Sequence, residues 1–193
     1  MTRAPLLLVL AGPNGAGKST FYELFLRQTG LRFVNADLIA RVIAPEDPLA
    51  AGYAAAAAAE VERRALLAAH QSFCMETVFS DPMGAKLSLL REAREAGFEV
   101  RMIFIGLASV ALSEARVVQR VLAGGHDVPS EKLIARYPRT LSNLKRALEG
   151  VDALELYDNS DAERPYRLFA RAERGAWVER LPPIPAWAEP LFG

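Results

Sequence analysis

Short apolar runs alternate along the chain with segments of helical period. Runs rich in β-branched and large apolar residues cover 6–11, 32–35, 72–76, 100–107 and 153–157, and each predicts a strand buried on both faces. Helical spacing fills the stretches between them, at 20–28, 38–43, 48–70, 83–96, 111–122 and 131–149. Strands alternating with helices in this way predict an α/β fold, a mostly parallel sheet with helices on both faces. Near the end, 166–172 and 176–181 flank Glu173-Arg174-Gly175 and predict a hairpin added to the sheet.

Breaker residues refine this outline. Gly97 predicts the C-terminal cap of the helix at 83–96. Pro138 predicts a kink or restart of the helix at 131–149. The last stretch, with Pro182, Pro183, Pro185 and Pro190 around Trp187, predicts an irregular tail packed on the surface by its aromatics. The alanine-rich stretch 48–70 reads as scaffold, with Glu60, Glu62, Arg63 and Arg64 on a solvated face. The expectation is one domain over 1–193, with a helical lid at about 109–149 and a hairpin and tail at about 165–193.

The first strand leads into Gly12-Pro13-Asn14-Gly15-Ala16-Gly17-Lys18-Ser19, a complete G-x-x-x-x-G-K-[ST] phosphate-binding loop. Its glycines let the backbone wrap an anion with the N–H groups inward, and the helix that follows aims the positive end of its dipole there. Lys18 is placed to reach the β- and γ-phosphates and Ser19 to hold Mg²⁺, with Thr20 completing the nucleotide-binding set. The motif specifies the fold class further, as the three-layer sandwich of P-loop NTPases, and predicts ATP or GTP with Mg²⁺ as the bound cofactors.

Phosphoryl transfer also needs an acid that orients the acceptor and cations that neutralise moving charge. Ligands of doubly wound sheets sit beyond the carboxyl ends of the strands, where Asp37, Glu76 and Asp158 fall. Asp37, after Asn35 and Ala36, is either a base or holder of metal-bound water, or the cap of the helix at 38–43. Glu76 and Thr77 read as substrate or Mg²⁺-water contacts, with Ser80 and Asp81 available to cap the following helix. Arg116 and Arg120 share a helical face before the glycine-rich stretch 124–129, and Arg136 and Arg139 follow it. These arginines either clamp phosphates or pair with Glu114 and Glu131 at the surface. His126 reads as a phosphate or substrate contact or as a turn residue, and Asp158-Asn159-Ser160 as a nucleobase loop or a simple turn.

Composition narrows the partners. With 23 basic and 23 acidic side chains the net charge is zero, and no Lys/Arg cluster interleaved with aromatics tracks a nucleic acid, so neither nucleic acid nor membrane is expected. The single cysteine, Cys74, excludes an internal disulfide and a multi-cysteine zinc site, and reads as core. Six apolar residues after a short leader are too few for a secretory signal or a membrane span, which predicts a cytoplasmic protein. There is no Asn-Lys-x-Asp guanine-reading motif of the small GTPases. Besides transfer, an ATP-dependent switch or binding module remains an alternative.

The order of Gly12–Ser19, Asn35-Ala36-Asp37, Glu76-Thr77, an arginine helix, Gly124-Gly125-His126-Asp127-Val128-Pro129, Arg136-Tyr137 and Asn143-Leu144 resembles the zeta toxin family of P-loop kinases over about residues 5–160. The resemblance implies a kinase using ATP and Mg²⁺. Its best-known members phosphorylate the 3′-hydroxyl of the amino sugar in UDP-N-acetylglucosamine. By that likeness Asp37 is the base, Lys18 and Ser19 hold phosphates and metal, and Asn35, Glu76, Thr77, His126 and Arg139 bind substrate. Arg116, Arg120 and Arg136 then neutralise the transferring group, and an antitoxin protein is the implied partner. The chain departs from the family in carrying His126 near the place of a second catalytic arginine, and in having little room for an appended substrate-binding region. Other kinases of this build act on antibiotics, nucleosides or dinucleotides, so a detoxifying or salvage kinase is the alternative.

Overall fold

A computed structural model describes residues 4–122 and 128–192. Seven strands form one sheet in the order β2-β3-β1-β4-β5-β6-β7. They are β1 (Leu6–Ala11), β2 (Arg32–Val34), β3 (Phe73–Thr77), β4 (Glu99–Gly106), β5 (Ala153–Asp158), β6 (Arg167–Glu173) and β7 (Ala176–Arg180). The first five are parallel, and β6 and β7 add antiparallel to the edge as the hairpin. Helices α1 (Lys18–Phe21), α2 (Ala36–Ile43), α3 (Gly52–Ala68), α4 (Ala85–Glu95), α5 (Val110–Leu122) and α6 (Ser130–Ala147) complete the described layers. No helix among the described residues is long and apolar enough to cross a membrane.

β1 is the middle of the five parallel strands, and it is apolar at every position. Leu7, Val9 and Ala11 face a core shared with Met75, Phe104, Leu89 of α4 and Leu144 of α6. Leu8 and Leu10 face a second core with Cys74, Ile105, Phe21 and Leu26. A strand covered on both faces by helices has no polar face to present, hence the unbroken apolar run. Burial pushes the Cys74 thiol up to about 12, so it behaves as a packing group.

Three elements differ from the sequence expectation. The helix after the phosphate loop is not uniform: α1 passes into a wider π-type turn at Tyr22–Leu26 and a tight turn at Arg27–Thr29, ended by Gly30. The wider turn coincides with two aromatic seats, Tyr22 stacked on Phe33 at 3.6 Å and Phe21 edge-on to Tyr157 and Tyr166 at 5.2 Å each. Second, α6 neither ends nor restarts at Pro138. The proline is exposed, so its ring meets solvent, while Tyr137 and Thr140 beside it are anchored by hydrogen bonds to Leu107 O (2.6 Å) and Val78 O (2.9 Å).

Third, the aromatic packing expected of the tail reaches into the core, where Trp187 is buried. Its ring is 8% exposed, lies 5.4 Å from Phe169 and 5.8 Å from Phe104, and donates its indole N–H to Asp158 at 3.1 Å. A Cβ on Gly106 would meet this ring at 2.1 Å, so glycine at the end of β4 is what admits the indole. The aromatic surface of the tail outweighs its irregular backbone. Replacing Trp187 by Ala is expected to cost about 3 kcal/mol, in the range for large aromatic deletions, and to lower the urea midpoint accordingly.

Candidate active site

The phosphate loop joins β1 to α1, and its conformation is set by the close approach of backbones. Gly12 sits at φ 146°, and a Cβ there would lie 2.2 Å from the Ile105 carbonyl oxygen, so only glycine lets the chain leave β1 at this angle. Three side chains from distant parts of the chain then hold the loop carbonyls. The Ser113 hydroxyl donates to Asn14 O at 2.7 Å, the Asn159 amide to Ala16 O at 2.9 Å, and the Tyr166 hydroxyl to Gly17 O at 2.9 Å. A trans peptide points its C=O and N–H in opposite directions, so tethering these carbonyls turns the amides of Gly15, Gly17 and Lys18 the other way. The amide array is therefore built before any anion arrives.

Lys18 is buried and donates to Gly12 O (3.0 Å) and Pro13 O (3.1 Å), with Glu76 Oε1 at 3.8 Å. Burial lowers its pKa, with the Arg120 charge acting in the same direction and Glu76 and Asp37 opposing. Burial likewise raises Glu76, assisted by Asp37 and opposed by Lys18, Ser19 and Asn35. Glu76 ends β3 beside the loop strand, where its Oε2 accepts from Ser19 Oγ at 3.1 Å and from Asn35 Nδ2 at 2.8 Å. The structure thus brings Lys18, Ser19, Asn35 and Glu76 into one cluster.

Asp37 is not the cap of α2. Asn35 is, its Oδ1 accepting from the amides of Asp37 (2.7 Å) and Leu38 (3.2 Å). Because Asn35 takes both duties, the Asp37 carboxylate is left exposed at the wall of a cavity of about 570 Å³ in front of the loop. Asn14, Asn35, Glu76, Thr77, Arg120, Arg136 and Arg139 line the same cavity. Arg116 does not: its Cβ would lie 3.2 Å from a Cβ on Gly15, which places it over the phosphate loop. Thr20 is exposed on α1, and the Thr77 hydroxyl accepts from the Phe79 amide at 2.9 Å. His126 lies outside the described residues.

The opposite wall, residues 78–82, is suspended from α6. Asn143 donates to Phe79 O and Asp81 O, both at 3.0 Å, and Thr140 to Val78 O. These contacts hold Phe79 at φ 61°, a left-handed conformation unfavourable for a bulky residue. Asp81, rather than Glu76, caps α4, accepting from the amides of Ala85 (2.6 Å) and Lys86 (3.3 Å).

Sequence reasoning missed two groups. Ser113 and Tyr166 carried no motif, and the turn reading of Asn159 did not anticipate its hold on Ala16, because these braces come from 99 or more residues away in the chain. The second miss is Arg63, which is not solvated but 4% exposed and lines the cavity. Ala55, Ala59 and Leu67 are also buried, so Arg63 occupies the third place in a stripe of period four, a signal that was present in the sequence. Its Nη2 donates to Glu60 at 2.8 Å, and Lys86 Nζ donates to the same carboxylate at 2.8 Å.

The chain belongs to the AAA_33 family of AAA domains, whose model matches residues 7–139. An uncharacterized protein of Haemophilus influenzae is 31% identical over 126 residues, covering 65% of this chain and 88% of that protein. Among solved structures, the AvrRxo1-ORF1:-ORF2 complex with ATP superposes with a TM-score of 0.69 at 16% identity, over 91% of this chain and 60% of that one. The chain thus spans about three fifths of that protein's length. The PezAT chromosomal toxin-antitoxin system of Streptococcus pneumoniae gives 0.61 at 15% identity, over 81% and 69%. A putative kinase from Chloroflexus aurantiacus gives 0.53 at 19%, over 69% and 76%. At these identities the likeness is one of fold, the α/β P-loop kinase fold.

Two outcomes follow from the site geometry. Asn159→Ala removes the donor to Ala16 O and is expected to cost about 1–3 kcal/mol of stability and to weaken nucleotide binding, measured by denaturation and by calorimetry. Burial alone would raise the Glu60 pKa, but hydrogen bonds from Lys86 and Arg63 hold it at about 2, against an ordinary 4.5. A depressed native pKa stabilises the fold fully above 4.5 and progressively less as pH falls toward about 2. Glu60→Gln is expected to flatten the loss of stability across that window, read from urea midpoints at successive pH values.

Proposed function

We propose that this chain is an ATP-dependent phosphotransferase of the zeta toxin type, moving the γ-phosphoryl group to a hydroxyl of a small molecule, with the amino sugar of UDP-N-acetylglucosamine as acceptor. The observation that carries the reading is the arrangement of a carbonyl-tethered phosphate loop and an uncapped, exposed Asp37 at the wall of one cavity. A loop that only held a nucleotide would need neither that carboxylate nor an adjoining cavity of this size.

The loop amides and Lys18 seat the phosphates, and Lys18 leaves the Gly12 and Pro13 carbonyls to do so. The Ser19 hydroxyl and Glu76 carboxylate, in contact at 3.1 Å, form a hard-oxygen pair that fits Mg²⁺. When bound there, Mg²⁺ neutralises charge on the β- and γ-phosphates. Asp37 accepts the proton of the acceptor hydroxyl as its oxygen attacks the γ-phosphorus and the bond to the leaving oxygen breaks. Arg120 and Arg136, on the facing walls, meet the charge that develops on the moving group. A restraining protein partner, an antitoxin, belongs to the same reading, supported by the fold shared with the PezAT toxin-antitoxin system.

Lys18→Ala and Asp37→Ala are each expected to lower transfer by about 10²–10⁴-fold, with ATP binding retained in the Asp37 variant. Product mass over a panel of UDP-N-acetylglucosamine, nucleosides, NAD and aminoglycosides checks this. One added phosphate on the sugar nucleotide supports the acceptor named here, one on another panel member replaces it, and loss of ATP binding in Asp37→Ala reassigns that residue to structural support. Arg120→Gln is expected to lower kcat more than nucleotide affinity, since its interaction strengthens only in the transition state. Equal losses in both would remove Arg120 from that role.

A further inference from the structure

The inner part of the cavity carries charge that phosphoryl transfer does not use. The chain as a whole is neutral, yet the described cavity wall bears six cationic side chains, Arg63, Lys86, Arg120, Lys132, Arg136 and Arg139, against three carboxylates, Asp37, Glu76 and Asp81. Two of those carboxylates are already committed, Glu76 to Ser19 and Asn35 and Asp81 to the first amides of α4. The excess of positive charge is thus a property of the cavity.

Arg63 is the unusual member. Along α3, Tyr53 lines the cavity at 89% exposure and marks its mouth. Ten residues on, about 15 Å along the helix axis, Arg63 lines it at 4% exposure and marks its inner end. Among the described residues the Arg63 guanidinium has one partner, Glu60, which also accepts from Lys86 and, through its other oxygen, pairs with Arg64 at 3.2 Å. Arg64 also has Glu92 at 2.7 Å, so the Glu60 carboxylate is divided chiefly between Arg63 and Lys86. The Arg63 Nε is buried with no hydrogen-bond partner. That Nε is out of a ligand's reach, but Arg63 shares its one carboxylate with Lys86 at the cavity wall, so an arriving oxyanion compensates the remaining charge, and the planar fork of a guanidinium matches phosphate or carboxylate oxygens.

We propose that Arg63 and Lys86 form an oxyanion subsite that seats a phosphate or carboxylate group of the phosphoryl acceptor at the inner end of the cavity, apart from the hydroxyl that is phosphorylated. The term acceptor rests on the kinase reading above, whereas the anion subsite stands on the cavity itself. Its consequence is selectivity: a neutral sugar or nucleoside leaves the cationic excess of the cavity uncompensated, and an anionic one does not.

The test is calorimetry with inorganic phosphate and with acetate, on the full chain saturated with a non-hydrolysable ATP analogue so that the phosphate loop is filled. Binding of one probe is expected, weakened at least ~10-fold in both Arg63→Gln and Lys86→Gln, as for loss of a charged hydrogen bond. Preference for phosphate assigns a phosphorylated acceptor and preference for acetate a carboxylated one. Lys86→Gln, at a partly exposed position, serves if Arg63→Gln fails to fold. Absence of binding by either probe, or unchanged affinity in the folded variants, overturns the subsite and leaves Arg63 as the ion-pair partner of Glu60. Steady-state transfer to UDP-N-acetylglucosamine and to uncharged N-acetylglucosamine completes the test. A raised acceptor KM in the variants with unchanged KM for ATP supports the subsite. Equal use of both sugars with unmoved KM sinks it while keeping the kinase. Arg63-dependent phosphate binding without transfer to any acceptor keeps the subsite and rejects the kinase.

Discussion

The site depends on one largely buried carboxylate, 11% exposed. Glu76 ends the strand next to the phosphate loop, and the loop hydroxyl of Ser19, the α2 cap Asn35 and the loop lysine all converge on it. A carboxylate taken out of water at this depth is tolerable only if partners surround it. Lys18 and Ser19 come from the loop and Asn35 from the start of α2, so satisfying one charge aligns β3, the loop and the start of α2. Asn35 extends the chain of consequence, for by capping α2 with Oδ1 while giving its amide to Glu76 it leaves Asp37 uncommitted.

The same economy governs the loop. Its conformation needs glycine at Gly12 because the Ile105 carbonyl stands where a Cβ would be. It also needs Ser113, Asn159 and Tyr166, which hold carbonyls and thereby aim amides. Tyr166 and Asn159 come from the segment leading into the hairpin, and Asp158, next to Asn159, accepts from Trp187 in the tail. The C-terminal elements are thus connected to the phosphate loop through a short series of hydrogen bonds. The wall at 78–82 is organised in a parallel manner, suspended from Thr140 and Asn143 of α6 at the expense of an unfavourable Phe79 backbone.

Much of the fold was legible in the chain. The five parallel strands stand out because buried strands must be apolar throughout, and the loop motif stands out because phosphate binding tolerates few residues. Boundaries and exceptions were less legible. Pro138 predicted a break that solvent exposure and two flanking hydrogen bonds made unnecessary. Trp187 sat in a proline-rich tail that looked superficial, and only the space above Gly106 shows why it is buried. Arg63 followed a visible period of four, but an arginine in an alanine-rich helix reads as solvated until its packing against the cavity wall, and the Glu60 it shares with Lys86 of α4, are known.

By itself, then, the sequence determined the sheet, its helices and the position of the anion-binding loop, since each follows from local spacing and residue type. Tertiary structure alone decided which polar residues share the cavity. It set Asn35 rather than Asp37 as the cap, placed Arg120, Arg136 and Arg139 on the wall and Arg116 over the loop, and carried Arg63 to the inner end. The reason is physical: hydrophobic and backbone patterns are written in neighbouring residues, whereas the partner of a charge is chosen by whatever distant side chain folding brings within hydrogen-bonding reach.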